Sequence, residues 1–260
     1  MAVKKTKKLS GQQLTTTVAS GETFLKVDAN GKVTRIDLPH LQSELLGGVN
    51  LDCMLDNVFI MYHAKSDGSP MLARPNDWTA RQNAGEIADG VAVIEGGKVL
   101  VVAPTETTSP GLPWSSSNLN GGGTKTNDAA TAINDWSGKA NTASIISKSA
   151  SSAVTNTNAY APGFCNLYSR VNANGKGLTA GKWWLPSVGE LMFMLANKNK
   201  INYALSLISG ATLLLDGSWY WSSTEASDNA AWYVYLRGNI GYFSKATQRR
   251  MVRPVSTYII

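Results

Sequence analysis

The chain has 260 residues, 16% charged and 43% apolar, the balance of a folded protein with a substantial core and many small polar side chains. No apolar run approaches the ~18 residues of a membrane-spanning helix, so no membrane insertion is expected. The net charge of +6 raises the question of a nucleic-acid partner. Its most clustered part, Lys4, Lys5, Lys7 and Lys8, has no aromatic or arginine interleaving and reads as a solvated terminus, so no nucleic acid is expected.

In chain order, "MAVKKTKKLSGQQLTTT" has the basic residues of an export signal without the apolar stretch that should follow, which argues against Sec-type export. Two short β-like runs, Phe24 to Val27 and Val33 to Leu38, flank Asn30-Gly31 and predict a hairpin. "PHLQSELLGG" predicts a short helix ended by Gly47-Gly48. Residues 1–50 are too few to hold much core and are expected to attach or oligomerise the protein. From Leu51 the pattern is that of a larger α+β unit. "IADGVAVIEGGKVLVVAP" predicts a hairpin across Gly96-Gly97, and Thr126 to Gly138 a short helix opened near Asp128. "PSVGELMFMLANKNKINYALSLI" predicts the clearest helix, with Ser187 and Glu190 as a capping box. From Gly217 the chain is strand-rich. The polar stretches Ser109 to Lys125 and Ser147 to Ala161 predict long, irregular but packed loops.

Signals for chemistry are weak. "NGGGTKTN" lacks the spacing of a phosphate loop, and "SGKAN" has Ala140 where the hydroxyl should be. His40 and His63 leave little choice of general base, and no serine or cysteine sits in a nucleophile elbow. Asp52 and Asp56 read as solvated charge; "PNDW" and "INDW" read as helix or turn caps that need no metal. Cys53 and Cys165 would fit two buried thiols or one disulfide, and without an export signal thiols are favoured. No metal, cofactor or enzymatic activity is expected. Trp183, Trp184, Trp219 and Trp221 read as structural, and Glu225 as an internal cap or pair.

Three pieces stand in order near the end: "GKWWLPSVGELMFML", "YWSSTEASDNAAWYVYL" and "VRPVS", with "SGKANT" upstream. Together they resemble the C-type-lectin-fold variable proteins of diversity-generating retroelements, which include phage tail proteins of the major tropism determinant class. The resemblance covers about residues 85–260. It implies an α+β, C-type lectin-like fold with two helices, mixed or antiparallel sheets and long irregular loops, occupying residues 51–260 behind a small β-rich segment. It also implies a hypervariable face, about residues 226–250, that binds a host cell-surface receptor, protein or glycan. A homotrimer in a phage tail is the implied setting, with a bacterial cell surface as the alternative. The lack of an export signal suits a virion component. A module of the same fold whose face is not diversified is the other function left open.

In such systems randomised adenines in AAY codons yield Tyr, Ser, Asn, Asp, Ala, Thr, Arg, Gly or Phe, among others, but never Trp, Lys, Glu, Gln or Met. Ser227, Asp228, Asn229, Tyr233, Tyr235, Arg237, Asn239, Tyr242, Ser244, Ala246, Thr247, Arg249 and Arg250 all satisfy this and form the candidate binding face. Trp232, Lys245 and Met251 fail it and read as frame; Gln248 also fails it, though it lies among the candidates. Alternation predicts the same division: Trp232, Val234 and Leu236 inward, Tyr233, Tyr235 and Arg237 out to solvent. The Glu-Pro-Asn calcium–sugar motif of animal lectins and the cysteine pairs of formylglycine-generating enzymes are both absent, which removes a lectin's sugar specificity and the nearest enzymatic reading.

Overall fold

The computed structural model describes residues 23–27, 31, 33–37 and 57–258. The chain divides into two compact units, Met1–Leu55 and Asp56–Ile260. In the first, β1 (Thr23–Val27) and β2 (Val33–Asp37) form an antiparallel hairpin in which Thr23 pairs with Asp37 and Val27 with Val33. The lysine cluster, the helix expected near residues 39–48, His40, Asp52, Cys53 and Asp56 lie outside the described residues.

The second unit is α+β. Its larger sheet has five antiparallel strands in the order β12-β6-β5-β3-β4: β3 (Val58–His63), β4 (Pro70–Ala73), β5 (Ala88–Glu95), β6 (Lys98–Val102) and β12 (Val255–Ser256). The β5–β6 hairpin turns at Gly96-Gly97, both at positive φ. Register stacks Val58 on Val93 and Ile60 on Val91, then Val93 on Leu100 and Val91 on Val102. These residues face the main core, whereas Met61, Ala92 and Val101 face a second layer with Leu178 and Trp183. Both faces are covered, so the strands read as near-continuous apolar runs. Bonds beyond the strand ladders join β3 and β5 to the short hairpin of β7 (Arg170–Val171) and β8 (Gly177–Leu178): Asn172 donates to the His63 carbonyl and Arg170 to that of Ala88.

Six helices lie among the described residues, against the two expected: α1 (Pro75–Asn83), α2 (Ala129–Ile133), α3 (Gly138–Ser147), α4 (Ala161–Leu167), α5 (Val188–Ala196) and α6 (Lys198–Ser206). Asp128 caps α2 by accepting from the Thr131 N–H at 2.7 Å. The long helix expected after Ser187 is two, broken at Asn197. Its side chain accepts from Asn57 and donates to Glu95 and to the Phe193 carbonyl. An Asn tied to partners outside the helix favours an end over a continuing turn.

The motif "WWLPSVGEL" closes on itself. Ser187 and Glu190 form the expected capping box, the Trp184 indole donates to the Glu190 carboxyl at 3.2 Å, and the Ser187 hydroxyl donates to the Asp135 carbonyl at 2.6 Å. Burial pushes the Glu190 carboxyl up to about 7 despite those hydrogen bonds. "VRPV" is a second lock. Arg253 is fully buried, paired with Glu106 and bonded to the carbonyls of Ala103 and Thr212. Tyr220 donates to the same Glu106 carboxylate.

Candidate functional site: the carboxyl-terminal sheet

The candidates lie on and around a second antiparallel sheet, order β11-β10-β9: β9 (Trp219–Glu225), β10 (Ala230–Tyr235) and β11 (Asn239–Ser244). Alternation along β10 divides it as its residues demand. Trp232 and Val234, with Leu236 just beyond, pack with Val188, Leu191 and Met194 of α5 in the main core. Ala231 and Tyr233 point to the other side, with Trp221, Trp114, Leu185 and Val252.

Tyr233 does not reach solvent as expected: it is only 7% exposed. β10 is the central strand, so neighbours close over its middle from both sides. The Trp219 ring lies 4.7 Å from that of Tyr233, and the Phe243 ring lies 5.4 Å away and nearly parallel. Across the ladder stands Gly241, where a built Cβ would be 2.4 Å from the Tyr233 phenol oxygen; any side chain there would displace the ring. Burial raises the Tyr233 phenol's pKa.

Arg250 completes this nest. Its guanidinium carbon is 4.8 Å from the Trp219 ring centre, 4.9 Å from Phe243, 5.5 Å from Tyr233 and 5.9 Å from Trp221. Its backbone is held by reciprocal hydrogen bonds with Leu112. Gly111 makes that approach possible, because a Cβ there would stand 1.9 Å from the Arg250 carbonyl oxygen. Burial lowers the Arg250 guanidinium's pKa. Cation–π contact offsets part of the lost hydration.

The other candidates divide into groups. Tyr235, half-buried, packs its ring 5.3 Å from Trp219, and exposed Asn239 pairs with it across the turn. Arg237 is exposed in that turn. A Cβ built on Gly217 would lie 3.8 Å from the Tyr235 hydroxyl and 3.9 Å from Arg237 Nη2, which brings both tips to one place. Tyr242 and Ser244 lie on the Trp232 side instead: Tyr242 pairs with Trp232, sets its ring edge-on at 5.0 Å, and is 49% exposed. Ser227, Asp228 and Asn229 form the turn at the opposite end of β10 from Arg237, and that strand's six residues span about 20 Å at the usual rise. Asp228 pairs there with Lys125 at 2.8 Å, and Ser227 donates to Asn229 at 2.6 Å. Half-buried Ala246 and exposed Thr247 and Arg249 follow β11. The expected single face is therefore an aromatic nest, two turns and an outer edge. Trp219, which the sequence marks as structural, and Phe243, which sequence reasoning passed over, both belong to the nest; period-two alternation along β11, which sets Phe243 on the face opposite Tyr242, was the available signal for it.

The frame beneath is fixed by Lys245 and Glu225, both fully buried and paired. The Lys245 ammonium also donates to the carbonyls of Leu119, Ser227 and Asp228 and lies 4.5 Å from the Trp114 ring centre. Beside the nest, Ser109, Pro110, Trp219, Arg249 and Arg250 line a pocket of about 360 Å³. Beyond Ser109, Pro110 and Arg249, a larger groove of about 860 Å³ is floored by Phe164, Leu167 and Tyr168. Among the described residues no cluster of three or more His, Cys, Asp or Glu could hold a metal, and no helix is long and apolar enough to cross a membrane.

Comparison with known proteins finds no matching family model, no matching curated protein and no matching solved structure.

Proposed function

We propose that this chain is a receptor-binding protein that carries interchangeable contact residues on a C-type lectin-like frame, in the manner of phage tail variable proteins. Residues 1–50 then attach the protein and assemble it as a homotrimer, and the partner is a molecule of the host cell surface. It is a binding protein and not an enzyme. One observation carries the reading. Among the described residues the side chains of Tyr235, Arg237, Asn239, Tyr242 and Thr247 make no hydrogen bond, while the strands that bear them are fixed by Trp232, Val234, Leu236, Lys245 and Glu225. Such positions can change identity without unfolding the protein, and tyrosine and arginine there supply contact area and directed hydrogen bonds.

The test is adsorption of the labelled full chain to candidate bacterial cells. Tyr235→Ala combined with Arg237→Ala should weaken binding at least 10-fold while leaving the thermal midpoint within about 2 °C. Undiminished adsorption would remove the reading's support.

A further inference from the structure

Among the described residues Arg250 is a cation without an anion. Its Nη1 donates to the Arg249 carbonyl at 2.7 Å, its Nε has no partner, and no carboxylate among the described residues pairs with it. A guanidinium has five N–H donors; the Nε is buried, and of the four at the Nη end only one bond is made among the described residues, so the rest can serve an anion. Arg249 beside it donates, among the described residues, only to the Gly111 carbonyl. Neighbouring acids are already engaged: Glu106 by Arg253 and Tyr220, Asp216 by Lys198. The residues that line the pocket with Arg249 and Arg250 include no acidic one, and Arg237 Nη2 lies 3.9 Å from a Cβ built on Gly217, one of the lining residues. Its lining also includes Trp219, the serines Ser109 and Ser218, and the apolar residues Pro110, Leu215 and Met251.

We propose that this pocket binds the carboxylate of an acidic sugar, with Arg250 and Arg249 holding the anion and the apolar lining of Trp219, Leu215 and Pro110 lying along the sugar ring. The proposal rests on the receptor-binding reading and names the ligand class of the same region. A carboxylate matches the fork of a guanidinium in two parallel hydrogen bonds. A pyranose has an apolar C–H face and a hydroxyl edge, which suit a lining of apolar residues beside two serines, and a volume of about 360 Å³ accommodates one such ring with its solvent. An acidic peptide fits less well, because an extended chain seeks an open strand edge. The outer edge of β9 is already occupied there: Trp221 donates to the Met251 carbonyl, and Met251 to that of Trp219.

Calorimetric titration of the full chain provides the test, with trigalacturonate, the neutral trigalactose, sodium sulfate and hexaglutamate as probes. Trigalacturonate should bind, the neutral sugar and sulfate at least 10-fold more weakly, and added salt should weaken the uronate further. Arg249→Gln should lower uronate affinity at least 5-fold and Arg250→Gln at least 20-fold. If Arg250→Gln fails to fold, the exposed Arg249→Gln decides the matter alone. Equal binding of the neutral sugar, tighter binding of hexaglutamate, no uronate binding at all, or an unchanged affinity in Arg249→Gln would each overturn the proposal. Failure here with adsorption intact leaves the receptor reading standing. Uronate binding to a chain that adsorbs to no cells overturns the receptor reading and keeps the pocket.

Discussion

Glu190 shows how a residue can be placed by spacing and still be misjudged in character. Three residues after Ser187, it declares a capping box, and the box is there. Spacing does not disclose that the residue is only 5% exposed, because burial depends on Asp135, more than fifty residues upstream, as well as on nearby Trp184. Burial lifts it from 4.5 to about 7, so the folded state holds a proton that the unfolded chain releases. The stability this contributes is complete below about pH 4.5 and is lost as pH rises through 7, at about 1.4 kcal/mol per pKa unit, or about 3 kcal/mol in all. Buried Asp89, paired with His63 and raised to about 6, acts in the same direction over a lower window. Urea midpoints measured from pH 4.5 to 8 should fall with pH, and Glu190→Gln should flatten the upper part of that fall. An identical slope in the variant would show that the carboxyl is not the source.

At the scale of the element, β10 was legible because strict alternation of large apolar and polar-tipped residues has only one strand reading. Trp232, Val234 and Leu236 lie in the main core as the pattern required. Tyr233 escaped the pattern, since period two tells which face a side chain takes but not whether that face is covered. The cover comes from Trp219, Phe243 and Arg250, on neighbouring strands and a distant tail. The three positions should therefore differ in equilibrium unfolding: Trp232→Ala costing about 3–5 kcal/mol, Tyr233→Ala about 2–4, and Tyr235→Ala within about 0.5 of wild type. A Tyr233→Ala variant as stable as wild type would contradict the nest. The break at Asn197 was hidden for a similar reason. Helical periodicity runs through it, and only the bonds from Asn197 to Asn57 and Glu95 reveal the end.

For the whole molecule, the α+β class and the strand-rich end were readable from runs and turns. The number of helices was not: Asp128 announced α2, but α1, α3 and α4 are no longer than ten residues and lie in stretches of small or polar residues that read equally well as loops. A homotrimer predicts a light-scattering mass near 83 kDa, three times the 27.8 kDa chain, and a monomeric mass would remove the proposed multivalency. The manner in which Lys245 grips the loop after β9 has its own consequence. It holds that loop by the main-chain oxygens of residues 227 and 228, atoms that every amino acid supplies alike. The bend is thus indifferent to what is written on it, so new side chains installed at Ser227, Asp228 and Asn229 should inherit a preset shape, a natural anchorage for engineered recognition loops.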